Sequence, residues 1–138
     1  MEESIRGCYA ESVDLTSDRF VKMILVDASF VLEFFFRNSR QKNPLVGEPW
    51  AAAVMLDLVL LENQLPFFVI QKLYKLAFPS LSDYDGLLEL SFRYFREFNI
   101  QSIKPHPNVQ IEHFTDLLRT FQIPPPEKLA TKERLWND

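Results

Sequence analysis

Asp57-Leu58-Val59-Leu60-Leu61-Glu62-Asn63-Gln64-Leu65-Pro66-Phe67-Phe68-Val69-Ile70 is the stretch on which the fold turns. Apolar residues fill both ends, and three large polar side chains, Glu62, Asn63 and Gln64, stand between them just ahead of Leu65-Pro66. A proline nitrogen has no hydrogen to donate, and its ring drives the preceding residue out of the helical region. A helix arriving from the N-terminal side therefore ends here, and a new one is free to begin. The spacing predicts two apolar helices, Pro49 to Asn63 and Pro66 to Phe78, joined at a bend. The first is apolar nearly all round, with Asp57 its one charge before Glu62, and is expected in the middle of a bundle. Backbone groups orphaned at the junction need partners. Asn63 in a left-handed conformation, with Glu62 or Gln64 reaching the following helix, is the predicted cap.

Working outward, Asp14-Leu15-Thr16-Ser17-Asp18 supplies N-cap oxygens and an acidic first turn, so a helix is predicted from about Ser17. At about 100° per residue, Arg19, Lys22, Ser29, Glu33 and Arg37 gather into one stripe. Every other position to Phe36 except Asp27 is apolar, which predicts a mostly buried helix with a narrow wet edge. The polar run Asn38 to Pro44 reads as an exposed loop. On the N-terminal side, Glu2 to Val13 is weakly helical. Beyond the apolar pair, Ser82 and Asp85 have the spacing of a capping box, and a helix is predicted to about Asn99. Phe114, Leu117, Leu118 and Phe121 fall at i, i+3, i+4 and i+7, which predicts a sixth. Pro124-Pro125-Pro126 ends it.

Composition agrees. The 138 residues are 47% hydrophobic, 14% aromatic and 25% charged, enough apolar surface for one packed core. Three glycines are few for the turns of a sandwich or barrel, while nine prolines fall mostly between apolar blocks. The fold class read from this pattern is all-α: five or six helices forming a core over residues 1–125, with residues 126–138 an extended or disordered tail. A net charge of −4 has the wrong sign for a phosphate-backbone binder, so nucleic acid is not an expected partner. The first fifteen residues lack a signal peptide's basic start and apolar middle. Charges interrupt both long apolar windows, so no membrane-spanning segment is expected.

Asp27 is the most informative candidate for chemistry, since its helical angle lies between Phe20 and Phe34, inside the apolar stripe. A carboxylate buried there must be hydrogen-bonded, paired or protonated. The expectation is a structural polar clamp in which Asp27 meets Glu62, Asn63 and Gln64. The rival reading is a hydrolase-like enzyme that uses Asp27 and Glu62 in a cleft. His113 and Asp116, three apart, have a spacing usable by two metal ligands, but no third ligand is identifiable near them or His106. Cys8 has no basic neighbour beyond Arg6 to activate its thiol, and the lone cysteine supplies no thiolate cluster. No glycine-rich phosphate loop, nucleophile elbow or zinc-protease motif occurs. No catalytic, cofactor-binding or metal residue is therefore assigned, and no cofactor is expected.

Four blocks carry a resemblance: Cys8-Tyr9-Ala10-Glu11, the Met23 to Phe35 run MILVDASFVLEFF, DLVLLENQLPFFVI from Asp57 to Ile70, and HFTDLLR from His113 to Arg119. In this order they resemble the plant proteins grouped as domain of unknown function 247. The resemblance implies a plant protein without an established catalytic activity. It also implies full-length members several times longer, often with a hydrophobic C-terminal membrane anchor that this sequence lacks. On that basis the chain is expected to be a truncated fragment, the middle part of a larger helical domain. Its expected role is a non-enzymatic protein-interaction module in recognition or signalling, near a membrane in full-length relatives. The expected partner is a protein, with self-association through exposed apolar surface, and localisation is not assigned. Phe34, Phe35 and Phe36 point about 100° apart and so cannot all face one interior. They and the pair Phe67-Phe68 are where exposed aromatics are expected.

Overall fold

The computed structural model describes residues 1–9, 11–40, 49–60, 65–81, 85–106 and 109–123. Six α-helices are found among them and no strand: α1 (Glu2–Arg6), α2 (Ser17–Arg40), α3 (Pro49–Val59), α4 (Phe67–Ala77), α5 (Asp85–Tyr94) and α6 (Phe114–Gln122). The all-α reading holds. Several expectations lie outside the described residues: most of the loop before Pro49, Ser82 of the capping box, the proline run at 124–126 and the tail to 138.

α2 is the axis of the molecule. It begins where expected, with the Phe20 amide donating to the Thr16 carbonyl at 2.9 Å. It ends at Arg40, not near Arg37. The polar residues continue the helix because Arg37 pairs with Glu33 one turn back at 2.7 Å and the Ser39 hydroxyl donates to the Phe36 carbonyl.

Phe20, Ile24, Ala28, Val31, Leu32, Phe34 and Phe35 of α2 are buried. The three consecutive phenylalanines are all covered, contrary to expectation, because three different neighbours reach round the helix. Phe34 meets Tyr94 and Trp50, Phe35 meets Tyr94, Phe95 and Phe114, and half-buried Phe36 meets Tyr74 and Phe78. Phe67 is likewise buried, with Phe68 half-buried. The wet edge of α2 is wider than its charges suggest, since Val21, Met23, Leu25, Val26 and Phe30 are also exposed.

The proline break is present. α3 stops at Val59 and α4 starts at Phe67, directly after Pro66. α3 is not central, however: it has no buried residue. After the break the chain turns α4 against α2, leaving α3 to rest on α6 and, through Trp50, on Phe34. α6 has the strongest stripe among the described helices, with Phe114, Leu117 and Phe121 all buried. α5 is followed by a 3₁₀ turn, Arg96–Phe98, rather than running helically to Asn99. Asn99 then holds the next turn, its side chain donating to the Ile103 carbonyl and accepting from the Ile103 amide, while Ser102 takes a φ of 53°.

Phe35 and Phe30 lie on one helix with opposite fates, 1% and 53% exposed. Phe35→Ala opens a cavity where α2, α5 and α6 meet and is expected to cost about 3–5 kcal/mol, a large part of a small domain's stability. Phe30→Ser removes a half-exposed ring that stacks on Phe34 at the surface and is expected to cost about 1 kcal/mol, well below the Phe35 value. Urea unfolding of the two variants measures the difference.

Candidate functional site

Where α3 gives way to α4, the orphaned backbone groups are met by α6 and the residues leading into it. The Phe67 amide, in the first turn of α4, donates to the Glu112 carbonyl at 2.7 Å. The Thr115 hydroxyl donates to the Val59 carbonyl, at the last residue of α3, at 3.1 Å. Between these two bonds Phe114 inserts its ring against Phe67, Phe35 and Phe95. Glu62, Asn63 and Gln64, the predicted caps, lie outside the described residues. The partners the structure shows come from a segment some fifty residues later, which no local spacing reveals.

Asp27 is exposed, which corrects its expected burial. Its angle on α2 is as predicted, but the covering elements divide around it. Phe20 is sealed by Arg6, whose guanidinium carbon lies 4.1 Å from the ring centre, and by the edge of Tyr9, while Phe34 is sealed by Tyr94 and Trp50. The strip between them, Met23, Asp27 and Phe30, is left open. The Asp27 carboxylate makes no hydrogen bond to the described residues, and partial desolvation by its apolar neighbours raises its carboxyl above the ordinary value. Tyr9 is pushed up mainly by its own burial and then by the nearby Asp27 charge.

The other candidates are placed as follows. Cys8 is exposed, its thiol directed to the Ser4 carbonyl. Asp116 accepts a hydrogen bond from the Glu112 amide at 3.1 Å, so it stabilises the entry to α6. Among the described residues no group of three or more His, Cys, Asp or Glu is placed to hold a metal ion.

Sequence reasoning missed Arg6, which fastens the N-terminal segment. Its guanidinium donates to Glu2 at 2.9 Å and to the Val13 and Leu15 carbonyls at 2.9 and 2.8 Å. Glu2 also accepts from Ser17, which together with Arg6 lowers its carboxyl from the usual range. A planar, multiply donating group beside short-range carbonyls has no periodic signature. Ser91 and Tyr94 of α5 were missed too; both are buried. The Ser91 hydroxyl donates to the Leu87 carbonyl, whereas the Tyr94 hydroxyl and the Gln71 side-chain nitrogen have no partner among the described residues. Burial raises the Tyr94 phenol strongly.

Two apolar surfaces stand out among the described residues. A groove of about 100 Å³ is lined by Phe20, Ile24 and Ala28 of α2 and Val69, Leu73 and Leu76 of α4, with Glu2 and Lys72 its charged lining residues. It is too small for an ordinary small-molecule site, which needs about 300–1,000 Å³. The second surface joins α2 to α3: Phe30 stacks on Phe34 at 6.0 Å, and Trp50 meets Phe34 edge-on at 5.9 Å. Phe30 and Trp50 are themselves 53% and 49% exposed, with Val26 and Met23 exposed along α2 and Leu56 along α3.

The family described as plant protein of unknown function, domain of unknown function 247, matches residues 1–136. The chain belongs to this family. Two of its four resemblance blocks, DLVLLENQLPFFVI and HFTDLLR, are the segments that interlock at Phe67 and Phe114. The chain is similar to the UPF0481 protein At3g47200 of Arabidopsis thaliana, 31% identical over 132 residues, 90% of this chain and 27% of that protein. It is also similar to the putative UPF0481 protein At3g02645 of Arabidopsis thaliana, 29% identical over 89 residues, 64% of this chain and 17% of that protein. The chain thus spans about a quarter or less of the curated relatives it matches. No solved structure matches it. Among the described residues no helix is long and apolar enough to cross a membrane.

The raised carboxyl gives Asp27 a signed effect on stability. Its folded-state value lies above its unfolded one, so the native chain binds the proton more tightly. Its contribution favours folding at low pH and is lost as pH rises through the raised value. Asp27→Asn is expected to be slightly more stable than the parent at pH 7, by about 0.5 kcal/mol or less, and the gain is expected to vanish below the ordinary carboxylate range. Thermal melts across pH check both the sign and the window.

Proposed function

We propose that the chain is a non-enzymatic helical module that binds protein through the apolar surface shared by α2 and α3. The observation that carries the reading is the exposure of Phe30 and Trp50 on either side of Phe34. Two large aromatic side chains in water beside an otherwise well-packed aromatic core form a contiguous apolar patch of the kind that marks interaction surfaces. Aromatic residues are also the anchors that dominate binding energy at interfaces. In full-length relatives the role we assign to this module is recognition or signalling near a membrane.

The test is capture from plant extract on immobilised chain, comparing the parent with Phe30→Glu and with Leu76→Glu, a change on the other face. The expected result is a set of proteins that binds the parent saturably, is retained by Leu76→Glu and is lost by Phe30→Glu. Identical sets on all three baits would contradict the reading.

A further inference from the structure

The exposed side of α3 narrows the choice of partner. Trp50, Ala53 and Asp57 of α3, with Leu60 just past its end, follow at i, i+3, i+7 and i+10, a single helical stripe with Leu56 beside it, and all five positions are exposed. Only Asp57 among them is charged. At its Trp50 end the stripe joins Phe30, Val26 and Met23 of α2 across Phe34. Taking aromatic side chains at 150–250 Å² each and the aliphatic ones in proportion, this face exposes on the order of 500 Å² of apolar surface. A standard interface takes about 800 Å² from each partner, of which roughly 60% is apolar. The face therefore holds about the apolar surface that one side of a stable dimer needs. The groove between α2 and α4, with Val21, Leu25 and Leu76 exposed along it, offers clearly less.

We infer that this face binds a second copy of the chain, with α3 running antiparallel to α3 of that copy about a two-fold axis that passes between Ala53 and Asp57. This names the partner of the interaction surface proposed above and rests on that reading. In this register Trp50 faces Leu60 of the second copy, and Ala53 faces Asp57. The large ring meets an aliphatic side chain, the small residue leaves room for the carboxylate, and the two Asp57 groups are not set directly against each other. The arrangement is isologous, so each contact occurs twice and the assembly closes at two copies.

Sedimentation equilibrium on the full 138-residue chain, loaded from about 1 to about 100 µM to bracket micromolar affinity, is expected to show a reversible species of twice the 16.2 kDa chain mass. Leu56→Glu is expected to weaken association more than about tenfold with an unchanged circular dichroism spectrum. Leu76→Glu, on the other face, is expected to leave it unchanged. Ala53→Glu sets a second acid against Asp57 of the other copy and is expected to weaken the dimer, whereas Ala53→Lys is expected to preserve it. A chain that stays monomeric, one that forms only open-ended aggregates, an intact dimer in Leu56→Glu, or equal behaviour of the two Ala53 variants would each overturn the proposal. A monomeric parent leaves the interaction reading standing on the capture experiment, so the two fail separately.

Discussion

The Phe114 side chain holds the structure together. It lies at the start of α6 and touches Phe35 of α2, Phe67 of α4 and Phe95 just after α5, with ring centres 5.4 to 6.1 Å apart. Beside it, the backbone of Glu112 receives the Phe67 amide and the Thr115 hydroxyl reaches the Val59 carbonyl. One short segment thus supplies the apolar wedge and also the polar partners that a proline-broken helix pair requires. A break at Pro66 without them would leave backbone groups unpaired in an apolar setting, at about 1–3 kcal/mol each. The two interlocking segments are separated by more than forty residues. Their pairing is a tertiary solution to a local chemical problem.

That division explains what could be read along the chain. The break at Leu65-Pro66 follows from proline's missing donor, and α6 follows from four apolar residues at helical spacing, so both appear where the sequence puts them. Asp27 is where local pattern stops deciding structure. Its angle on α2 was legible, but whether an apolar stripe is covered depends on which elements arrive, and Tyr9 and Arg6 arrive on one side of it while Tyr94 and Trp50 arrive on the other. Phe34, Phe35 and Phe36 show the converse: their divergent directions were legible, and their common coverage required neighbours on three sides. α3 reads as a central helix from its composition, yet it lies at the edge because the bend commits α4, not α3, to the axis. Arg6 leaves no periodic trace at all.

An apolar helix at the edge links fold to function. The chain packs one side of α2 with aromatic rings and leaves Phe30, Val26 and Met23 of the same helix facing out, next to an α3 that is apolar and unburied. The energetic logic of the core, burial of aromatic surface, is unfinished on that side. The proposed function is association with protein on that side, and the chain spans only 27% of the longer relative to which it is 31% identical.

The fold depends most on Phe114 coupling α6 to α2, and a double-mutant cycle between Phe35 and Phe114, each replaced by Leu and followed by urea unfolding, measures that coupling directly. Direct ring contact predicts an interaction energy of about 0.5–1.5 kcal/mol beyond the sum of the single substitutions. Additive effects, with an interaction energy near zero, would show that the two rings do not meet and would contradict the architecture described above.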